Sequence, residues 1–156
     1  MKKLLLSLLL LTTITTYAQK SKFDVKVGLV TQLPVNVYQT TTIDVGSSMA
    51  EVDYKYSKNI RIGITTGFLR FKSDIENFYN VPILAGGKYF VSSSMYFGAN
   101  AGIAFFNKEY PVSRRYMWSS YVGSTKGHIS VSLQYFNWYQ FDNANNNLSL
   151  FIGYTL

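Results

Sequence analysis

The chain of 156 residues contains no cysteine. No disulfide can staple it, so its stability has to come from a continuous core or from a sheet closed on itself. It also lacks any apolar run of the roughly 20 residues that a membrane-spanning helix needs; the longest leucine-rich stretch, residues 4–11, lies within MKKLLLSLLLLTTITTYAQ. Acidic residues are few, 8 against 15 Lys and Arg. Beyond the N-terminal lysines the basic residues are scattered, with only Arg114 and Arg115 adjacent. A nucleic-acid binder concentrates its cations on one face or stripe, and this chain does not.

What is present begins with that N-terminus. Two lysines, a short apolar core and a small residue at Ala18 form the pattern of a secretory signal peptide, residues 1–18. Its removal takes Lys2 and Lys3 with it, lowers the formal net charge from +7 to +5, and leaves residues 19–156 as one domain. Over the whole chain 17% of residues are aromatic, including 13 Tyr and 11 Phe, and beyond the signal segment nearly every periodic stretch has period two. This predicts an all-β chain of eight strands, near residues 23–33, 50–57, 60–71, 79–91, 95–106, 116–122, 128–136 and 147–156. The sixth, YMWSSYV, alternates poorly. Connections alternate between long (PVNVYQTTTIDVGSSM, KSDIENF, NKEYPVSRR, NWYQFDNANN) and short (Lys58-Asn59, SSS, GSTKG). Up-and-down outer-membrane barrels have this asymmetry, with short periplasmic turns and longer external loops.

The two strand faces differ in solvent. One carries Val25, Val27, Leu29, Val52, Ile62, Ile64, Ile83, Phe97, Val131, Leu133, Leu150 and Ile152. The other mixes Asp24, Lys26, Glu51, Asp53, Lys55, Arg61, Lys88 and His128 with amides, hydroxyls and glycines. Glycine on the mixed face fits a narrow interior, where it leaves room for long side chains from facing strands. The expectation is an eight-stranded up-and-down antiparallel transmembrane β-barrel, apolar face in lipid and mixed face in the lumen. The converse, a soluble exported barrel binding an apolar ligand, requires the apolar face to point inward.

The segment ENFYNVPILAGGKYFVSSSMYFGANAGIAFF, with Tyr79, Val81-Pro82-Ile83-Leu84, Lys88-Tyr89-Phe90, Gly98 and Gly102, resembles the small outer-membrane beta-barrel domain family, OmpX-like in size and architecture. ISVSLQYFNWYQF with NNNLSLFIGYTL is similar to that family's last hairpin. Gly86-Gly87 departs from it, standing where the family usually has apolar residues. The resemblance implies a small monomeric barrel in the Gram-negative outer membrane, in contact with outer-membrane lipid and lipopolysaccharide, and it specifies architecture far better than activity.

Candidate chemistry is sparse. His128-Ile129-Ser130 has the His-x-Ser order of a lipid A deacylase barrel, but a triad needs a carboxylate to orient the His, and Gln140 precedes the nearest downstream acid, Asp142. Asp24, Glu51 and Asp53 share a face with Lys26, Lys55, Arg61 and Lys88, which predicts mutual neutralisation in a side-chain-filled interior. DNANNN lacks the Asp-x-Asp spacing, Gly and final Glu of a calcium loop and is expected to be a turn. GANAG alternates glycines along a strand and is no phosphate cradle. Aromatics near the end of strand seven, Trp138 and Tyr139 among them, suit a headgroup anchor; with Tyr110, Arg114 and Arg115 they make a candidate loop binding surface, the arginines matching lipopolysaccharide phosphates. No cofactor and no reaction is nominated. The leading expectation is a barrel with a closed polar lumen and a structural or loop-mediated binding role. A narrow pore and a lipid-modifying enzyme using His128 and Ser130 are the rivals.

Overall fold

The computed structural model describes residues 22–34, 44–72, 77–106, 114–140 and 143–156. These form eight strands, β1 (Phe23–Pro34), β2 (Asp44–Lys55), β3 (Ile60–Lys72), β4 (Asn77–Phe90), β5 (Met95–Phe106), β6 (Arg114–Lys126), β7 (Ile129–Gln140) and β8 (Asn143–Thr155). Each pairs antiparallel with its sequence neighbours, and β8 pairs with β1 to close the barrel. Closure removes every sheet edge, which strands in hydrocarbon need if all their backbone groups are to be satisfied. The strands run 12 to 14 residues, ample for the 9–11 that a tilted strand needs to cross a bilayer. The signal segment predicted over residues 1–18 lies outside the described residues.

Four strands exceed their predicted lengths. β2 starts at Asp44 and β6 runs from Arg114 to Lys126, so the connection expected at GSTKG shrinks to Gly127-His128. Gly127 has φ 61°, the positive value that the first central residue of a two-residue hairpin loop requires. β7 and β8 continue past the expected turn, with Trp138 opposite Asn145, Tyr139 opposite Ala144 and Gln140 opposite Asn143. Most of DNANNN is therefore strand. On the outer side of that ladder Asn137 Nδ2 and Tyr135 Oη both donate to Asn146 Oδ1, at 2.5 and 2.6 Å, so amides here hold strands together where they were expected to turn the chain.

Pro82, in the middle of β4, cannot donate to a ladder. The β3–β4 pairing runs from Ile60 opposite Tyr89 to Thr66 opposite Ile83, lapses at Pro82, and resumes at Leu69 opposite Asn80.

The apolar set faces out. Leu29, Val52, Ile62, Ile64, Ile83, Phe97, Val131 and Ile152 are all exposed, and Ala104, Lys26, Glu51 and their inward neighbours are buried. A soluble barrel with an apolar pocket is thereby overturned. Aromatics ring both ends of the outer surface: Phe23 against Tyr54 and Tyr89 against Phe97 near the short turns, Phe68 against Tyr79 and Trp118 against Tyr135 near the long connections. Two such girdles around an apolar band are the mark of a barrel seated in a bilayer.

Candidate functional site

The interior divides along the barrel axis. At the short-turn half, Lys88 Nζ donates to Glu51 Oε2 at 2.5 Å and to Asp53 Oδ2 at 2.7 Å. Lys26 Nζ stands 3.7 Å from Glu51 and 3.9 Å from Asp53, and all four side chains are almost fully buried. Two cations and two carboxylates cancel. That cancellation is what permits such burial, since an unpaired charge taken out of water costs several kcal/mol or more. Tyr96 and Tyr121 close over the cluster, with Lys26 5.2 Å and Lys88 5.6 Å from the Tyr96 ring centroid. Asn100 continues it, donating to Thr65 Oγ1 at 3.2 Å and accepting from Tyr121 Oη at 3.3 Å.

Glycines create the space. A Cβ at Gly98 would lie 2.6 Å from the Tyr121 ring, and one at Gly123 equally close to Tyr96. Gly86, where the family resemblance breaks, faces Asn100 in the same way.

Nearer the rim, Asp24 engages Lys55 Nζ at 2.7 Å and Arg61 Nη1, while the Arg61 guanidinium lies 4.3 Å from the Phe90 ring centroid. Of the eight polar residues assigned to the lumen, seven thus form two ion clusters, Lys55 being half exposed at the mouth. His128 does not join them. It sits in the exposed two-residue turn, its Nδ1 donating to Thr155 O at 2.9 Å and its ring stacked on the outward Tyr154, because β7 begins one residue later than the sequence suggested.

The other half of the lumen is mostly apolar, with Asn80, Arg115, Ser119 and Asn147 buried among the apolar side chains, which corrects the expectation of a polar interior throughout. Val30, Met49, Leu69, Leu84, Ala104, Phe106, Met117, Phe136, Trp138 and Phe151 form one buried cluster. Trp138 belongs to it, fully buried and 6.5 Å from Phe106 between ring centroids, because β7 keeps its inward-outward alternation beyond residue 136. Arg115 also points inward, its guanidinium 4.5 Å from the Phe106 ring centroid. Of the candidate loop surface, Arg114 is exposed at the rim, Tyr139 lies on β7, and Tyr110 is outside the described residues.

Sequence reasoning put Asn100 on the lumen face but missed Tyr96 and Tyr121 as parts of the interior network, and the signal for them was their even spacing from Gly98 and Gly123 on the same strand face. Ser130 is fully buried inside the barrel and His128 is exposed at its end, so the two do not share an environment. Among the described residues no group of three or more His, Asp or Glu could hold a metal ion.

No family model matches the chain, and no curated protein matches its sequence. Solved structures do. The outer membrane protein Ail of Yersinia pestis in a phospholipid nanodisc has TM-score 0.62 at 10% identity, over 88% of this chain and 100% of Ail. The outer membrane enzyme PagL gives 0.55 at 12%, over 85% and 99%, and a de novo designed transmembrane β-barrel gives 0.55 at 14%, over 88% and 98%. This chain is a transmembrane β-barrel of the small eight-stranded kind. An enzyme and a designed barrel on the same fold show that the fold leaves the activity open.

Proposed function

We propose that this protein is an integral outer-membrane barrel that conducts no ions and catalyses no reaction, a monomeric scaffold whose external loops bind a partner. The outer-membrane setting is supported by Ail and PagL, both outer-membrane proteins, and by closure of β1 on β8 within one chain. The observation that carries the reading is the filled lumen: the Lys26, Lys88, Glu51 and Asp53 cluster at one level and the Phe106, Phe136, Trp138 and Phe151 cluster at the next. An eight-stranded barrel is just wide enough for side chains to fill it. Paired charges across its width leave fixed groups where a permeant ion would have to pass.

The strand ends Pro34, Asp44, Lys72, Asn77, Phe106, Arg114, Gln140 and Asn143 lie at one end of the barrel and the connections at 56–59, 91–94 and 127–128 at the other, the longest intervals between strands, 35–43 and 107–113, belonging to the first. Longer connections on a rigid barrel face outward from the cell and carry its contacts. Ail has been crystallised with the heparin analogue sucrose octasulfate, a polyanion. Here exposed Arg114 and Tyr116 flank a cleft of about 330 Å³ at that same end, suited to phosphate or sulfate groups such as those of lipopolysaccharide.

Reconstitution into planar bilayers tests the scaffold reading. Wild-type protein is expected to give no steady conductance at neutral pH; stable ion-selective currents overturn it in favour of a pore.

A further inference from the structure

The outer surface near the short turns carries a feature that the scaffold role does not use. A groove of about 450 Å³ runs over β2, β3 and β4, lined by Phe23, Val52, Tyr54, Ile62, Ile64 and Ala85. Its walls are large and its floor small. Ile64 stands opposite Ala85 and Ala85 opposite Ala101, while Ile62 stands opposite Gly87 and Gly87 opposite Ala99. The tilted ring pair Phe23 and Tyr54, 5.2 Å apart, bounds one end.

Immediately beyond that pair the chain turns cationic. Lys55 N donates to Lys22 O at 2.7 Å, which sets both lysines one residue past the aromatic ring pair. Lys58, in the turn between β2 and β3, stands at the same end beside Arg61. Asp24 answers Lys55 and Arg61, and among the described residues no carboxylate pairs with Lys22 or Lys58, both exposed. An apolar slot along the acyl region, capped at headgroup height by two unneutralised ammonium groups, has the chemical profile of a phospholipid with net negative charge. A zwitterionic headgroup would set its own ammonium against the lysines.

We propose that this groove binds one anionic phospholipid of the leaflet on the short-turn side, an acyl chain lying over Ala85 and Gly87 and the phosphodiester held by Lys22 and Lys58. The proposal rests on the membrane-barrel reading above and goes beyond it by naming a lipid class and a site. The attraction comes from basic residues meeting a negative surface, each contributing independently within a Debye length, while the groove contributes apolar contact that does not depend on the headgroup.

The test is native mass spectrometry of the full mature barrel released from nanodiscs containing equal amounts of phosphatidylglycerol and phosphatidylcholine. Wild-type protein is expected to retain phosphatidylglycerol over phosphatidylcholine by about fivefold or more. K22Q/K58Q is expected to abolish that preference while lipid of both kinds is still retained. Ala85→Phe, which fills the groove from its floor, is expected to lower retention of both kinds. Lys126→Gln, at the same rim but on β6, four strands from β2, should leave the preference intact. Equal retention of the two lipids by wild type, or a preference unchanged in K22Q/K58Q, overturns the site. Gel mobility that changes on heating reports the folded barrel separately, so a variant that keeps this shift has failed only the lipid proposal, and a wild type that never shows it overturns both readings.

Discussion

Lys88 on β4 meets Glu51 on β2 across the whole width of β3, Nζ to Oε2 at 2.5 Å. The strand between them leaves the way clear because its inward residue there is Gly63, where a Cβ would lie 2.5 Å from Asp53 Oδ1. Lys88→Met strips two buried carboxylates of their nearest cation and is expected to destabilise the barrel by about 3–5 kcal/mol. Lys88→Met with Glu51→Gln is expected to lose less than the sum of the single changes, since the partners are coupled. Urea titration of the folded barrel in detergent or bilayers measures both, and simple additivity would show that the pair does not interact.

The glycine and aromatic pairs make a second claim. Gly98→Ala forces a methyl group against Tyr121 at 2.6 Å, an overpacking expected to cost about 1–3 kcal/mol. Combining it with Tyr121→Ala removes the ring contact but leaves Gly87 O 2.5 Å away, so the alanine at Gly98 should then cost less than it does beside Tyr121 while remaining destabilising. The same titration reads the outcome.

The two tryptophans report which face is which. Trp118 is 41% exposed on the lipid side, and Trp138 is 0% exposed within the lumen. Lipids brominated along their acyl chains should quench the emission of Trp118 strongly and that of Trp138 weakly. The Trp118→Phe variant is accordingly expected to keep emission that such lipids barely affect, and full quenching in that variant would place Trp138 outside.

Depth along the outer face supplies a fourth test. Leu150 and Ile152 are exposed within the apolar band of β8, and Tyr154 lies at the short-turn girdle beside His128. Arg at either of the first two is expected to cost about 2–4 kcal/mol, and at Tyr154 about 0–1. Equal losses at all three positions in bilayer-based unfolding would remove the depth gradient and the girdle with it.

His128→Ala and Ser130→Ala should each leave the acylation pattern of lipid A unchanged when the protein is produced in cells and lipid A is read by mass spectrometry. A Ser–His pair needs contact and an orienting carboxylate, and these two side chains lie in different environments. An acyl chain lost only when both residues are intact would establish an enzyme.

The barrel, its closure and its faces were legible because alternation in β1 to β5 is nearly uninterrupted and a one-residue error would have put Glu51 and Lys88 in lipid. The ends were less so. Past Phe136 the segment NWYQFDNANN reads as a loop, which groups Trp138 with surface aromatics, although strand alternation keeps it inside. Arg115 follows the same logic at the start of β6, where an inward arginine is accommodated against Phe106. β6 alternates poorly because aromatics occupy both faces, Tyr116 and Trp118 outward, Tyr121 inward, and polarity alone cannot sort them. Which carboxylate meets which lysine depends on distances across three strands, and a linear sequence carries no such metric.

The division of the lumen into an ionic half and an apolar half has a consequence for assembly. If a strand slipped by one residue near the long connections, Val30, Leu84, Phe106 and Phe136 would exchange places with Leu29, Ile83, Phe105 and Tyr135, apolar for apolar, and the error would be opposed chiefly by the buried Asn80, Arg115 and Asn147. Near the short turns the same slip would thrust Lys26, Glu51, Asp53 and Lys88 into hydrocarbon. Register in a sheet is specified only where its two faces differ. The ionic half therefore acts as the key that fixes alignment for the whole barrel, and it stands at the end where the hairpins are tightest, so the strands can align there and close like a zip toward the loops.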